Sequence, residues 1–181
     1  MAAENSKATL SNLEQFLRLK LLDEWTAQGH NMNGKAIREI DFIAEHLGNM
    51  LRYDLMVLPY VAYNETGVTA SRIPYTAPSG RGGTSKYIEG LTNYAKIKFN
   101  LDDKSAKSAA FAIASKQKSE RGMPTQNSFE YSATGERTGF ITQAMAKNET
   151  AVQQLLFEYF DITFTTRFNS MLDVYIDKFK K

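Results

Sequence analysis

The chain of 181 residues contains no cysteine. This absence excludes disulfide bonds, thiolate metal sites and cysteine nucleophiles together, and it suits a reducing compartment. Histidine is almost as scarce, since only His30 and His46 are present, and neither has a carboxylate or a second histidine at metal-ligand spacing beside it. Each is interpreted as a surface or loop residue, and no metal and no cofactor is expected.

The chain also lacks a strong excess of charge of one sign. Its 22 basic and 20 acidic residues leave a formal net charge of +2, which makes no general case for nucleic-acid binding. No apolar run approaches the roughly 20 residues that span a bilayer, and no secretory signal is visible at the N-terminus. The apolar content of 43% and the aromatic content of 12% predict a soluble, folded, single domain over residues 1–181.

Motifs for catalysis are scarce as well. The loop at residues 80–86 (GRGGTSK) resembles a phosphate cradle, but Lys86 is followed by Tyr87 rather than by serine or threonine. A flexible loop that enters a helix is the preferred interpretation. Asp102 and Asp103 are interpreted as helix caps rather than an acid/base pair, and no Gly-x-Ser-x-Gly elbow occurs. We therefore expect no enzymatic activity.

What the chain does contain is helical periodicity, interrupted by one segment rich in β-formers. Residues 1–7 are expected to be loose, and a first helix is expected from near Ser11 to Gly29. Residues 36–63 fit either a helix that ends at Gly48 or a hairpin of two strands, 38–47 and 50–63, joined at Gly48-Asn49. The hairpin is favoured, with Pro59 at a strand edge or a bulge.

The second half of the chain is expected to be mainly helical. Ser85 is predicted to cap one helix, and Thr138 to cap a short one. The Asp102-Asp103 pair is predicted to start another helix that ends at Gly122 and has an inner face of Ala106, Ala110, Ile113 and Ala114. Residues 155–168 favour a strand by their aromatic and β-branched content, although a continued helix is an open alternative, and residues 170–180 predict a C-terminal helix. The resulting fold class is α+β, a small antiparallel sheet (the hairpin plus the later strand) packed by several helices.

Two long polar loops, residues 66–85 and 122–138, flank the two central helices. Loops of this length are normally functional or disordered, and these hold aromatic, proline and arginine residues, which are typical of interfaces. We expect them to project and to order against a partner. The candidate interface residues are Arg72, Pro74, Tyr75, Arg81, Lys86, Tyr87, Pro124, Phe129, Tyr131 and Arg137. Arg72, Arg81 and Lys86 are also candidate phosphate contacts, because no acidic residue lies among them.

At these loops the chain resembles a known family. It is similar to bacteriophage neck proteins, the tail-completion or head–tail connector ring family, in the form found in tailed phages of Bacteroidetes-type hosts. The resemblance covers roughly residues 30–145, and its motifs are Asn33-Gly34-Lys35, Gly67-Val68, Arg72-Ile73-Pro74-Tyr75, Ser85-Lys86-Tyr87-Ile88, Leu91, Tyr94-Ala95, residues 109–114 (AAFAIA), Gly122-Met123-Pro124-Thr125 and residues 131–139 (YSATGERTG).

The resemblance implies a virion structural protein, assembled in the host cytoplasm, whose copies form a ring between the portal and the tail. It implies a dodecamer that contacts the portal and other neck or tail proteins and surrounds the DNA channel. A tail terminator hexamer is the alternative within the class. The alternative outside it is a non-specific nucleic-acid-binding module that contacts phosphates through Arg72, Arg81, Lys86, Arg121 and Arg137. Residues 151–181 lie outside the resemblance.

Overall fold

The computed structural model describes residues 2–30, 34–47, 50–76, 85–119, 122–125, 129, 132 and 134–179. Within these ranges the chain forms helices α1 (Ala2–Ala27), α2 (Lys35–Glu39), α3 (Pro59–Thr66), α4 (Lys86–Phe99), α5 (Asp103–Ser119), α6 (Phe140–Lys147) and α7 (Glu149–Phe179), strands β1 (Asp41–Leu47) and β2 (Met50–Met56), and a short 3-10 helix (Ala70–Arg72). The predicted α+β class is confirmed.

The main core forms around one face of α1. Leu21 and Trp25 lie one turn apart on that face and pack against Ile40, Val61 and Phe140. The Phe140 ring meets the Trp25 ring edge-on, with ring centroids 5.0 Å apart. Segments far apart in sequence, the start of β1, helix α3 and helix α6, are therefore held against the C-terminal half of α1.

The predicted hairpin is confirmed, although its strands are shorter than expected. β1 and β2 pair antiparallel from Asp41 opposite Met56 to Leu47 opposite Met50. The turn residues Gly48 and Asn49 lie outside the described residues. The expectation that Pro59 lies at a strand edge or bulge is wrong, because Pro59 begins α3. Proline favours the first helical turn, where its missing N–H costs no hydrogen bond and its fixed φ suits the helix.

Helices α4 and α5 form a hairpin that packs through small side chains. The Ser85 hydroxyl caps α4 as predicted, by accepting a hydrogen bond from the Ile88 amide. The predicted inner face of α5 is also confirmed, since Ala106, Ala110 and Ala114 are fully buried. Alanines there let the two helix backbones approach closely.

The structure corrects two expectations about α1 and α7. Helix α1 begins at Ala2 rather than near Ser11, because the alanine, glutamate and lysine residues before Ser11 are themselves good helix formers. The predicted strand at residues 155–168 is wrong, since these residues belong to α7. β-propensity measures the fit to a half-buried surface, and a long helix against α1 supplies such a surface equally well.

Helix α6 receives its cap from another helix. Thr138 does not cap it, because the position before the first helical residue is Gly139, which has a left-handed backbone (φ 70°). The Glu65 carboxylate, at the end of α3, accepts hydrogen bonds from the amides of Ile141 at 2.7 Å and Thr142 at 3.2 Å instead. A carboxylate is favourable at this end of a helix, because the helix dipole is positive there.

Candidate functional site

The outer face of α7 carries an aromatic stripe whose side chains are exposed in the part of the chain that the structure describes. Its residues recur at intervals of three or four, which places them on one side of the helix. Exposed fractions of 75% at Phe157 and 69% at Phe164 show that the rings lie in solvent. The stripe consists of Phe157, Phe160, Phe164, Phe168, Met171 and Tyr175.

The opposite face of α7 is apolar as well, and it faces α1. Tyr159 is only 4% exposed there, and Leu155 and Ile162 on the same side are half-buried. At 31 residues the helix is about 46 Å long, so both faces extend over much of one side of the molecule. A helix that is apolar on two faces is normally covered on both.

The exposed area of the stripe is comparable to one side of a protein–protein interface. The exposed fractions of its aromatic residues correspond to about three fully exposed rings, or roughly 450–750 Å². A standard protein–protein interface buries about 800 Å² on each partner. The stripe therefore supplies most of one side of such an interface, whereas isolated exposed hydrophobic residues need no explanation.

A second apolar surface is a half-open cavity of about 520 Å³. It lies where the C-terminal end of α1, helix α3 and the α4–α5 hairpin meet. Trp25, Leu91 and Tyr94 line it, and Tyr60 and Phe99, 45% and 46% exposed, lie where it opens to solvent. No residue of α7 is among those that line it, so the stripe and the cavity are separate surfaces.

The described charged residues that line the cavity, Lys35 and Arg137, are cationic. Arg137 is buried, and its Nε and Nη2 atoms donate to the carbonyl oxygens of Gln28 at 2.8 Å and Gly29 at 3.1 Å. His30 also lines the cavity, and burial, aided by the positive charge of Arg137, lowers its pKa to about 4. At neutral pH His30 is therefore uncharged, and the arginine supplies positive charge beside it.

The indole of Trp25 adds one unsatisfied donor to this region. Its ring lines the cavity and is 1% exposed, and its Nε1 has no hydrogen-bond acceptor in the part of the chain that the structure describes. A buried donor without an acceptor costs free energy, about 1–3 kcal/mol.

The two long loops are joined to each other at their bases. Val68 and Met123 exchange backbone hydrogen bonds of 2.7 and 2.8 Å in an isolated bridge. Gly122 has a φ of 97° beside this bridge, and a Cβ atom there would lie 1.8 Å from the Val68 carbonyl oxygen. Only glycine fits, so the loops are fixed parts of the fold where they meet.

The candidate loop residues fall into two groups. Arg72, Pro74, Lys86 and Phe129 are exposed, as an interface role requires. The others that the structure describes are packed into the chain: Tyr75 and Tyr87 against the α4–α5 hairpin, Pro124 and Arg137 at the cavity. Tyr87 also donates to Gln117, and burial raises the pKa of its phenol. Arg81, Arg121 and Tyr131 lie outside the described residues.

Arg137 is therefore misassigned as a phosphate contact of a binding module, because its guanidinium is buried against two carbonyl groups at the end of α1. The interpretation of Asp102 as a cap is confirmed. Its Oδ1 accepts a hydrogen bond of 2.7 Å from the Ser105 amide, and hydrogen bonds from Ser105 lower the pKa of the Asp102 carboxyl. Within the described ranges, no three acidic or histidine side chains cluster in a way that suits a metal ion.

Sequence reasoning missed both apolar surfaces. The signal for the stripe was present, because Phe157, Phe164, Met171 and Tyr175 recur at intervals that fit a helix face and contradict the alternation of a strand. The cavity carries no local signal, since residues such as Trp25, Tyr60 and Phe99 meet only in the folded chain.

None of the helices in the described ranges combines the length and the apolar composition needed to cross a membrane. Comparison of the chain with protein-family models, with curated proteins and with solved structures finds no match in any of the three.

Proposed function

We propose that this protein is a virion structural protein, a subunit of the ring that connects the head of a tailed phage to its tail. The observation that carries the proposal is the aromatic stripe on α7, an extended apolar surface that a monomer leaves in water. Assembly with other copies removes that surface from water, at about 25 cal/mol for each Å² buried. The protein acts by self-association, with no chemical step.

A closed ring requires a head-to-tail contact, in which two different surfaces of the subunit meet. The stripe and the cavity are different surfaces, so a contact that pairs one with the other is head-to-tail, and such contacts close into rings when the rotation between copies allows it. The resemblance of residues 30–145 to connector proteins favours a dodecamer between the portal and the tail. In that arrangement Arg72, Arg81 and Lys86 are candidates for phosphate contacts along the DNA channel, without base specificity.

The proposal is tested by sedimentation velocity and negative-stain electron microscopy of the wild-type chain and of Phe157→Glu/Phe164→Glu. Both side chains are mostly exposed, so the variant is expected to fold as the wild type does. We expect rings from the wild type and monomers from the variant. A wild-type protein that remains monomeric at every concentration, or a variant that assembles normally, contradicts the proposal.

A DNA titration separates this proposal from the nucleic-acid module. The monomeric variant retains Arg72, Arg81 and Lys86, so a simple binding module would still bind duplex DNA at low salt, with an affinity that falls steeply as salt is added. We expect the monomeric variant to bind weakly, because phosphate contacts from one subunit are few. Tight binding by the monomer favours the module.

A further inference from the structure

We propose that two copies of this chain pair through the outer edge of β2, antiparallel and about a two-fold axis at Tyr53, so that their hairpins form one four-stranded sheet. The partner of this edge is thus a second copy of the chain. The inference goes beyond the proposed function and is independent of it. The same edge meets itself here, whereas a ring contact joins two different surfaces.

The first argument is that β2 has an edge suited to strand addition. In the described residues the sheet has only the two strands β1 and β2, so no strand pairs with the outer edge of β2. Helix α1 contacts the hairpin mainly through β1, which leaves β2 on the outside. Natural sheets protect such an edge with proline, lysine or a bulge. β2 contains neither proline nor lysine, and its pairing with β1 is continuous from Met50 to Met56.

The second argument is that the sequence of β2, residues 50–56 (MLRYDLM), is nearly the same in both directions. In an antiparallel pair centred on Tyr53, every other side chain of the strand lies directly opposite a side chain of matching size or of opposite charge. The opposed pairs are Met50 with Met56, Leu51 with Leu55, and Arg52 with Asp54.

The third argument is that charge selects this register. Within one chain, Arg52 Nη2 lies 2.9 Å from Asp54 Oδ2, and both side chains are partly exposed. In the proposed pair each arginine also lies opposite the aspartate of the second copy, so four charges alternate in sign. A shift of two residues in either direction places Arg52 opposite Arg52, or Asp54 opposite Asp54. Like charges directly opposite each other are destabilising.

The two faces of β2 exclude a shift of one residue. Met50 and Met56, 61% and 52% exposed, lie on one face with Arg52, whereas Leu51 and Leu55 lie on the half-buried face. A shift of one residue would place the exposed face of one strand beside the half-buried face of the other. The two-fold register keeps like faces together and brings the exposed methionines of the two copies into contact.

The size of the contact makes the pairing weak. A strand of seven residues is roughly 23 Å long. Pairing along one such edge buries less than the roughly 800 Å² per partner of a standard interface. At micromolar concentrations the pair is therefore sparsely populated, and the test traps it covalently.

The test uses two single-cysteine variants, Arg52→Cys and Asp54→Cys, in the background of Phe157→Glu/Phe164→Glu, which removes the proposed ring contact. The chain has no cysteine of its own, so each variant carries one thiol. The fluorescence of Trp25 confirms that each variant is folded. The two variants are mixed and oxidised, and mass spectrometry under non-reducing conditions separates the heterodimer from the two homodimers.

The heterodimer should dominate, because positions 52 and 54 of the two copies lie directly opposite each other. Their Cα atoms would be about 4.5–5.5 Å apart, which suits a disulfide. The mixed pair also keeps one intact Arg52–Asp54 contact between copies. Two cysteines at the same position are diagonal neighbours about 7–8 Å apart. We expect the mixture to give about tenfold more disulfide-linked dimer than either variant alone, because a disulfide does not span more than about 7 Å without backbone movement.

The matched control is the pair Ile43→Cys and Glu45→Cys on β1, in the same background. These positions have the same spacing and lie on the same exposed face of the hairpin, opposite Asp54 and Arg52. Their mixture should show no excess of heterodimer.

Equal yields from the β2 mixture and from its separate variants, or an equal excess in the β1 mixture, overturn the inference. Efficient homodimers of Arg52→Cys or of Asp54→Cys overturn it as well, since they mean a shifted register. Wild-type rings without an excess of heterodimer refute the strand pairing and keep the ring. An excess of heterodimer in a chain whose wild type forms no ring keeps the strand pairing and refutes the proposed function.

Discussion

Arg137 Nε donates a hydrogen bond to the carbonyl oxygen of Gln28 at 2.8 Å, and both residues are buried. Gln28 and Gly29 form the turn that follows α1, and the carbonyl groups of a buried turn need a donor from elsewhere. The arginine supplies it from a position 109 residues later in the chain. The second long loop is thereby tied to the first helix.

Replacing this arginine should destabilise the fold. Arg137→Ala removes the donors to the carbonyl groups of Gln28 and Gly29, in the turn after α1, and should lower the free energy of unfolding by about 2–3 kcal/mol. Urea denaturation followed by Trp25 fluorescence measures the change. Arg72→Ala, at an exposed arginine of the first long loop, is the control and should change stability by less than about 0.5 kcal/mol. Equal effects of the two substitutions would show that the hydrogen bonds of Arg137 contribute nothing.

Gly122 offers a test of the bridge between the loops. Gly122→Ala places a Cβ atom 1.8 Å from the Val68 carbonyl oxygen and forces a strained backbone at a φ of 97°, so it should cost at least about 2 kcal/mol. Gly90→Ala is the matched control, because the α4 backbone around Gly90 has open space for a Cβ atom. It should stabilise the protein by about 0.5–1 kcal/mol, since alanine is the better helix former. Thermal denaturation of both variants measures these two changes in stability.

The cap of α6 can be tested at Glu65. Glu65→Ala leaves the amides of Ile141 and Thr142 without their acceptor and should reduce stability by about 1–2 kcal/mol. Glu65→Gln keeps an oxygen acceptor without the charge and should lose roughly half as much, because charge-assisted hydrogen bonds are about twice as strong. Hydrogen exchange at the Ile141 amide should speed up in the alanine variant. Unchanged exchange would contradict the assignment of the cap.

His30 makes stability depend on pH. Its folded pKa is about 4, whereas the ordinary value is 6.5, so the unfolded chain binds more protons between these values and stability rises with pH. The contribution is complete above about pH 6.5 and is lost as the pH falls towards 4. It amounts to about 3 kcal/mol at most.

Urea denaturation at pH 4.5 and 7.5 should show a smaller difference in His30→Gln than in the wild type. The matched control is His46→Gln, since His46 is the other histidine of the chain. Identical pH dependence of the wild type and His30→Gln would mean that His30 titrates normally in the folded protein.

The elements that sequence reasoning predicted correctly have local signals. The Ser85 cap, the alanine face of α5 and the hairpin pairing from Asp41 to Leu47 all follow from spacing within a few residues. The predicted start of α1 was wrong because Ser11 has the spacing of a capping residue but lies inside a run of helix formers. The predicted strand at residues 155–168 was wrong because aromatic and β-branched residues suit both a strand and a helix that is apolar on two faces.

The interface role of Arg72 and Lys86, which are exposed, stays a prediction. The buried position of Arg137 could not be predicted, because it depends on contacts with the turn after α1 that no local pattern encodes. The cavity depends on the same kind of distant contact, because Trp25 and Phe99 belong to helices that meet only after folding. The spacing of the aromatic residues along α7 was a sequence signal for the stripe, but the strand interpretation overlooked it.

Native mass spectrometry of the wild-type chain over a range of concentrations shows whether its copies assemble. We expect a closed oligomer, with a twelve-subunit species dominant, and a six-subunit species would favour the tail terminator. The stripe variant Phe157→Glu/Phe164→Glu should give only the 20.4 kDa monomer under the same conditions. A wild-type protein that is monomeric at every concentration would contradict the proposed self-assembly into a ring.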